Sequence, residues 1–155
     1  MKNTLLSAAL FAATAGLLSG GAQAGEVPAA DGMEDIRAVV EANQAAWREA
    51  LNASDVEGLV DTYSADAVLM PPTDETLADA ASIRRYLRTL AASGLKHNGV
   101  DLYEIRREGD TVYAAGVWSA TRPAAGGAEL IGGNIVTVFE RQSDGRWKTR
   151  LQTWN

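Results

Sequence analysis

From Met33 onward the apolar positions keep a helical period and then switch to alternation. Ile36, Val40, Asn43, Trp47 and Leu51 recur every three or four residues, with Arg37, Glu41, Arg48 and Glu49 between them. That spacing predicts an amphipathic helix ending near Asn52-Ala53. Ser54, with Glu57 three residues on, reads as the capping box of a shorter second helix carrying Val56, Leu59, Val60 and Tyr63. Ala67 to Met70 is too short for a helix and stops at Pro71-Pro72, so it predicts a strand. Thr73 to Ala78 reads as an exposed polar loop. Asp79 then caps a third helix with Ile83, Tyr86, Leu87 and Leu90 on its buried face, stopped at Ser93-Gly94.

Beyond Gly94 the period is two. Gly99 to Arg107, Thr111 to Arg122, Glu129 to Arg141 and Arg146 to Trp154 read as four strands. Glu108-Gly109-Asp110 and Ser143-Asp144-Gly145 are hairpin turns, and Pro123 to Gly127 a looser loop. Strand-rich sequence after three helices predicts an α+β fold, a mostly antiparallel sheet with the helices on one face. Along the third long strand Asn134, Val136 and Val138 share one face, and Ile135, Thr137 and Phe139 share the other. Neither face is strongly polar, so both are expected to be covered. Helices can cover one; a second subunit on the outer face would give a homodimer.

The start of the chain has a different pattern. Lys2 precedes an apolar run from Leu5 to Leu18, broken by Ser19-Gly20-Gly21 and followed by Ala22-Gln23-Ala24. The run is about 14 residues, short of the roughly 20 that span a bilayer. It reads as a secretory signal peptide, residues 1–24, cleaved after Ala24, with a membrane anchor as the alternative. A linker, residues 25–32, and one domain, residues 33–155, follow, with a periplasmic or secreted destination. The chain has no Cys, which excludes disulfides and lipid attachment at the cleavage site. Losing Lys2 leaves 13 basic against 20 acidic side chains, a formal charge of −7. Nucleic acid, which needs clustered Lys and Arg, is excluded by that balance, and an anionic membrane surface fits poorly. A small neutral molecule, a cation or another protein remains as partner.

Several segments together carry a resemblance. The helix with Trp47, "NASDVEGLVDTYSADAVLMPP", "SIRRYLRTL", three long strands and the closing "DGRWKTRLQTWN" resemble the NTF2-like superfamily. The similarity is greatest to its SnoaL-like and DUF4440 group, which includes ketosteroid isomerases and polyketide cyclases. The resemblance implies a cone, with the sheet wrapping the long first helix around a deep pocket. In ketosteroid isomerases a carboxylate base ends the first strand just before a proline, and a helix Tyr and a protonated sheet Asp hold the oxyanion. Aligned on "YSADA", the base position falls on Pro71 and the helix Tyr on Trp47, whose indole donates a hydrogen bond but cannot shuttle a proton. Asn134 is the candidate for the sheet Asp. The isomerase route therefore lacks its base.

Other groups are weighed against plainer roles. Asp66 shares a strand face with Val68 and Met70, and is otherwise a turn-closing residue. Asp74 and Glu75 belong to a loop that is ordinarily solvated. His97, the only histidine, stands beside Lys96 at a strand start, where an exposed edge position competes with a pocket base. One His, no Cys and no spaced carboxylate cluster give no expected metal, and no nucleotide or phosphate fingerprint suggests a cofactor. Trp47, Tyr63, Tyr86, Tyr103, Trp118 and Trp154 could converge on one cavity, with Tyr63 and Trp147 read as core. Arg150 and Gln152 alternate onto the face of Trp154, with Asp66 or a ligand acid as partner for a buried Arg150.

Three functions stay open. The first is a ligand-binding cone lined by Trp47, Met70, Tyr86, Trp118, Asn134, Gln152 and Trp154, taking a small hydrophobic or aromatic molecule. The second is an isomerase, cyclase or dehydratase using Asp66, His97 or Arg150. The third is an interaction module with a vestigial pocket.

Overall fold

The computed structural model describes residues 31–73 and 75–155, with side chains from residue 35. The expected signal peptide, most of the linker, and Asp74 lie outside the described residues. The first helical pattern folds as α1, Asp31–Ala53, two residues longer at its start than the periodicity predicts. Ser54 ends it in a left-handed conformation, φ 57°. Asp55, not Ser54, caps α2 (Val56–Asp61): its Oδ1 accepts from the Gly58 amide at 2.9 Å.

Tyr63, expected on α2, instead opens the first strand, β1 (Tyr63–Met70). After Pro71-Pro72 the loop turns back, and Leu77 exchanges backbone hydrogen bonds with Leu69 at 2.8 and 2.9 Å. Leu77 is buried there, so the loop is not wholly exposed. The third helix, α3 (Ala80–Ala92), is capped by Asp79. The remaining strands are β2 (Lys96–Glu108), β3 (Thr111–Ala124), β4 (Gly127–Arg141) and β5 (Trp147–Trp154). The looser loop expected at Pro123 to Gly127 is a tight turn, with Ala124 paired to Gly127.

The sheet order is β1-β5-β4-β3-β2, with β1 parallel to β5 and the other neighbours antiparallel. Among the described residues this is an α+β fold, three helices on a five-stranded, mostly antiparallel sheet. Alternation sends Ile135, Thr137 and Phe139 of β4 toward the helices and Val136 and Val138 away from them. Register shifts break simple alternation: one lies between Tyr63 and Val68 in the β1–β5 pairing, and three others each leave one residue out of the pairing, Asn98 and Tyr103 in β2 and Arg150 in β5. Such bulges rotate the following residues to the opposite face.

Two buried clusters close the space between α1 and the sheet. Ile36 and Val40, from the first turns of α1, pack with Ile105, Val112, Ala114 and Phe139. Ala50 and Leu51, from its last turns, pack with α2, α3 and β1 residues such as Leu59, Leu69 and Leu87. Between those ends the helix presents Asn43, Gln44 and Trp47 in place of small aliphatics. There the core opens.

Among the described residues no helix covers the outer face. Val68, Leu151, Val138 and Tyr113 lie side by side across four strands, and Met70, Thr153, Val136 and Ala115 form the next row. Tyr103, Val117 and Val136 are among its exposed apolar residues.

Candidate functional site

The opening is a cavity of about 210 Å³ between α1, α3 and the inner face of the sheet. From the helices it takes Asn43, Gln44, Trp47, Tyr86 and Leu90, and from the loop after β1, Pro72. From β4 and β5 it takes Ile135, Thr137, Phe139, Thr149, Gln152 and Trp154. Leu95, His97, Val100, Trp118 and Ile131 complete the wall. Among the described residues no Asp, Glu, Lys or Arg lines it. Placement of the wall depends on the bulges. Val100 and His97 face inward together only because Asn98 is extruded between them, and Thr149 and Gln152 do so only because Arg150 is.

A hydrogen-bonded thread crosses the floor. Trp47 Nε1 donates to the Tyr63 hydroxyl at 2.9 Å, and Tyr63 donates to Gln152 Oε1 at 2.7 Å. Gln152 Nε2 reaches Thr137 Oγ1 at 3.4 Å. An indole can only donate, so the Tyr63 proton must go to Gln152, which fixes the amide's orientation. Burial raises the Tyr63 pKa well above its ordinary value, so this hydroxyl stays neutral. Burial also raises that of Tyr86, whose ring lies 6.1 Å from that of Trp154.

His97 is the side chain that alternation misplaces. It is 7% exposed, not an open edge residue, and its ring meets Trp47 edge-on at 5.2 Å. Although β2 is an edge strand, the His97 backbone is held by the Asn52 side chain. Asn52 Nδ2 donates to the His97 carbonyl at 3.0 Å, and Asn52 Oδ1 accepts from its amide at 2.9 Å. Burial, with a smaller push from the Arg48 charge, pulls the imidazole pKa down to about 4. The ring is therefore neutral at pH 7. Among the described residues its buried Nδ1 has no hydrogen-bond partner, an omission that costs about 1–3 kcal/mol.

The remaining sequence candidates separate. Trp47, Tyr86, Trp118, Gln152 and Trp154 surround the cavity. Met70 does not: its neighbour Leu69 takes the inward position against Gln152, which leaves Met70 outside, opposite Thr153. Asn134 also lies on the outer, exposed side of β4; its amide donates to Asn155 Oδ1 at 2.8 Å. Gly133 beside it has no room for a Cβ against the Asn155 backbone. Arg150, the bulge residue, pairs with Asp66 at 3.2 Å, and the Asp66 side chain is 68% exposed. Neither lines the cavity, so they form a surface ion pair and not an acid–base set inside it. Tyr103, the other β2 bulge residue, is 63% exposed. The exposed Glu75 does not line the cavity either. Among the described residues no cluster of His, Cys, Asp or Glu could hold a metal, and no helix is long and apolar enough to cross a membrane.

With this geometry, residues 44–149 match the SnoaL-like domain. The chain belongs to the SnoaL-like family. No curated protein matches it in sequence. Solved structures do. One is an NTF2-like protein with a cystatin-like fold from Novosphingobium aromaticivorans, 19% identical over 79% of this chain and 82% of that one, TM-score 0.64. A ketosteroid isomerase-like protein from Erwinia carotovora atroseptica is 19% identical over 78% and 95%, TM-score 0.65. A protein from Catenulispora acidiphila, solved in complex with S-DNPA, is 20% identical over 78% and 94%, TM-score 0.65. At these identities the similarity carries the fold. The lining of this SnoaL-like chain is aromatic and amide-bearing and, among the described residues, free of carboxylate, with Pro72 at the wall after β1.

Proposed function

We propose that this domain binds a small, partly apolar molecule in the cone cavity. One observation carries the reading: a hollow of about 210 Å³ whose wall is aromatic and aliphatic and whose few polar groups are uncharged. Small-molecule sites are generally built in this way, and the Catenulispora relative was solved with a small molecule bound. An acid–base enzyme fits less well. Such catalysis works best with a group poised near the operating pH. Among the described residues the titratable groups of the lining are His97, at about 4, and Tyr86, whose pKa burial raises. Thermal-shift screening with lipophilic metabolites and aromatic polyketides tests the proposal. A ligand at 100 times its Kd adds about 2.7 kcal/mol and a measurable rise in Tm. A flat response across a broad panel contradicts it.

The apolar rows on the outer sheet face support a homodimer, since a long exposed apolar surface marks an interaction site. Sedimentation equilibrium should give a dimer that Val136→Lys splits; a wild-type monomer at every concentration opposes this. Residues 1–24 support export from the cytoplasm with removal of the leader. The mature protein should begin at Gly25 by intact-mass measurement, and retention of residues 1–24 contradicts that.

A further inference from the structure

The cavity's own hydrogen-bond inventory narrows the ligand further, on the premise that the cavity is a binding site. The indole of Trp47 is spent on Tyr63, Tyr63 on Gln152, the Trp118 indole on the Asn155 carbonyl, and the Asn43 amide NH₂ on the Val39 carbonyl. His97 differs. It lines the cavity and is more than nine-tenths buried, and of the lining side chains among the described residues, Gln44, Tyr86, Thr149 and Trp154 included, it alone holds a buried polar atom without a partner, Nδ1. A neutral imidazole carries one donor and one acceptor. A hydroxyl, which both gives and takes a hydrogen bond, matches either ring nitrogen. A carboxylate would enter a wall with no cation in it, and an unpaired buried charge is strongly disfavoured.

Size sets the second limit. A dry cavity of about 150 Å³ holds benzene, so about 210 Å³ takes one substituted ring or two small ones. The tilted Tyr86–Trp154 pair and the edge of Trp47 offer faces for a planar ring.

The geometry points to a neutral, one- or two-ring ligand whose hydroxyl hydrogen-bonds to the His97 imidazole. Phenols and cyclic alcohols are its chemical class.

Four matched probes test it by titration calorimetry: 4-isopropylphenol, 4-isopropylanisole, 4-isopropyltoluene and 4-isopropylbenzoate. The phenol should bind at least about 10-fold more tightly than the anisole or the toluene, with the benzoate weakest. In His97→Phe the phenol and anisole should converge to within about 2-fold, and His97→Gln, which keeps a donor and an acceptor, should restore part of the preference. Because the chain has a single histidine, ¹⁵N labelling of histidine reads this one ring in unmutated protein. The phenol should shift a ring-nitrogen resonance, and the toluene should leave it in place. If all four probes bind alike, or the benzoate binds tightest, or the ring nitrogens ignore the phenol, the His97 assignment is overturned while the cavity remains a site. If none binds at millimolar concentration, the small-ligand reading itself fails.

Discussion

The two faces of the sheet come from the same strands, residue by alternate residue, yet they solve opposite problems. The inner face carries Thr137, Thr149 and Gln152 among apolar neighbours, all three buried. Its polar groups are tied to each other and to Tyr63 and Trp47. The outer face carries Val136, Val138, Leu151 and Tyr113 in open rows, and its ion pair, Arg150–Asp66, stands in solvent. The difference shows where a polar contact matters energetically. A buried hydrogen bond cannot be replaced by water when one partner is removed, whereas an exposed ion pair is screened and readily resolvated.

Substitutions on each face put that contrast to the test. Tyr63→Phe should have the largest effect, because it strips partners from both Trp47 Nε1 and Gln152 Oε1. At about 1–3 kcal/mol for each of the two unsatisfied groups, urea unfolding should show a loss of about 2–6 kcal/mol. A loss below about 0.5 kcal/mol would mean that water enters the thread freely.

His97 gives the next largest effect, and it depends on pH. Its folded pKa of about 4 lies below the ordinary 6.5, so the unfolded chain binds the extra proton between those values. Its contribution is complete above pH 6.5 and is lost as the pH falls toward 4, by about 3 kcal/mol in all at 1.36 kcal/mol per unit. Asp61, held low first by its hydrogen bond to Lys148, adds its own acid sensitivity from its ordinary 3.8 downward, below that window. The stability difference between wild type and His97→Gln should therefore slope between pH 6.5 and 4. Parallel curves would contradict a buried neutral imidazole.

On the outer side, Arg150→Ala should cost less than about 1 kcal/mol, the usual range for an exposed pair. It should leave binding of any cavity ligand unchanged. A large loss of binding would place Arg150 on the wrong side of the sheet.

The fold was legible because its signals are long. Ile36, Val40, Trp47 and Leu51 repeat through the whole of α1, and β3 and β4 alternate over 14 and 15 residues. The convergence of Trp47, Tyr86, Trp118 and Trp154 followed from the resemblance. What stayed hidden was single-residue geometry. Nothing in "KHNGV" or "KTRLQ" announces an extruded Asn98 or Arg150, and without those bulges His97 reads as an edge residue and Arg150 as a neighbour of Gln152. Asn134 and Met70 failed for a related reason, since alternation tells which residues share a face but not which face the helices cover. Tyr63 was hidden by α2, whose helical pattern runs into the first residue of β1.

The central claim is that the hollow on the inner face receives a small molecule while the outer face does not. Isotope-filtered nuclear Overhauser contacts from the isopropyl methyls of 4-isopropylphenol to the protein's aromatic rings test it most directly. Contacts to Trp47, Tyr86 and Trp154 are expected. Contacts confined to Tyr103 and Tyr113, or none at saturating probe, would contradict it.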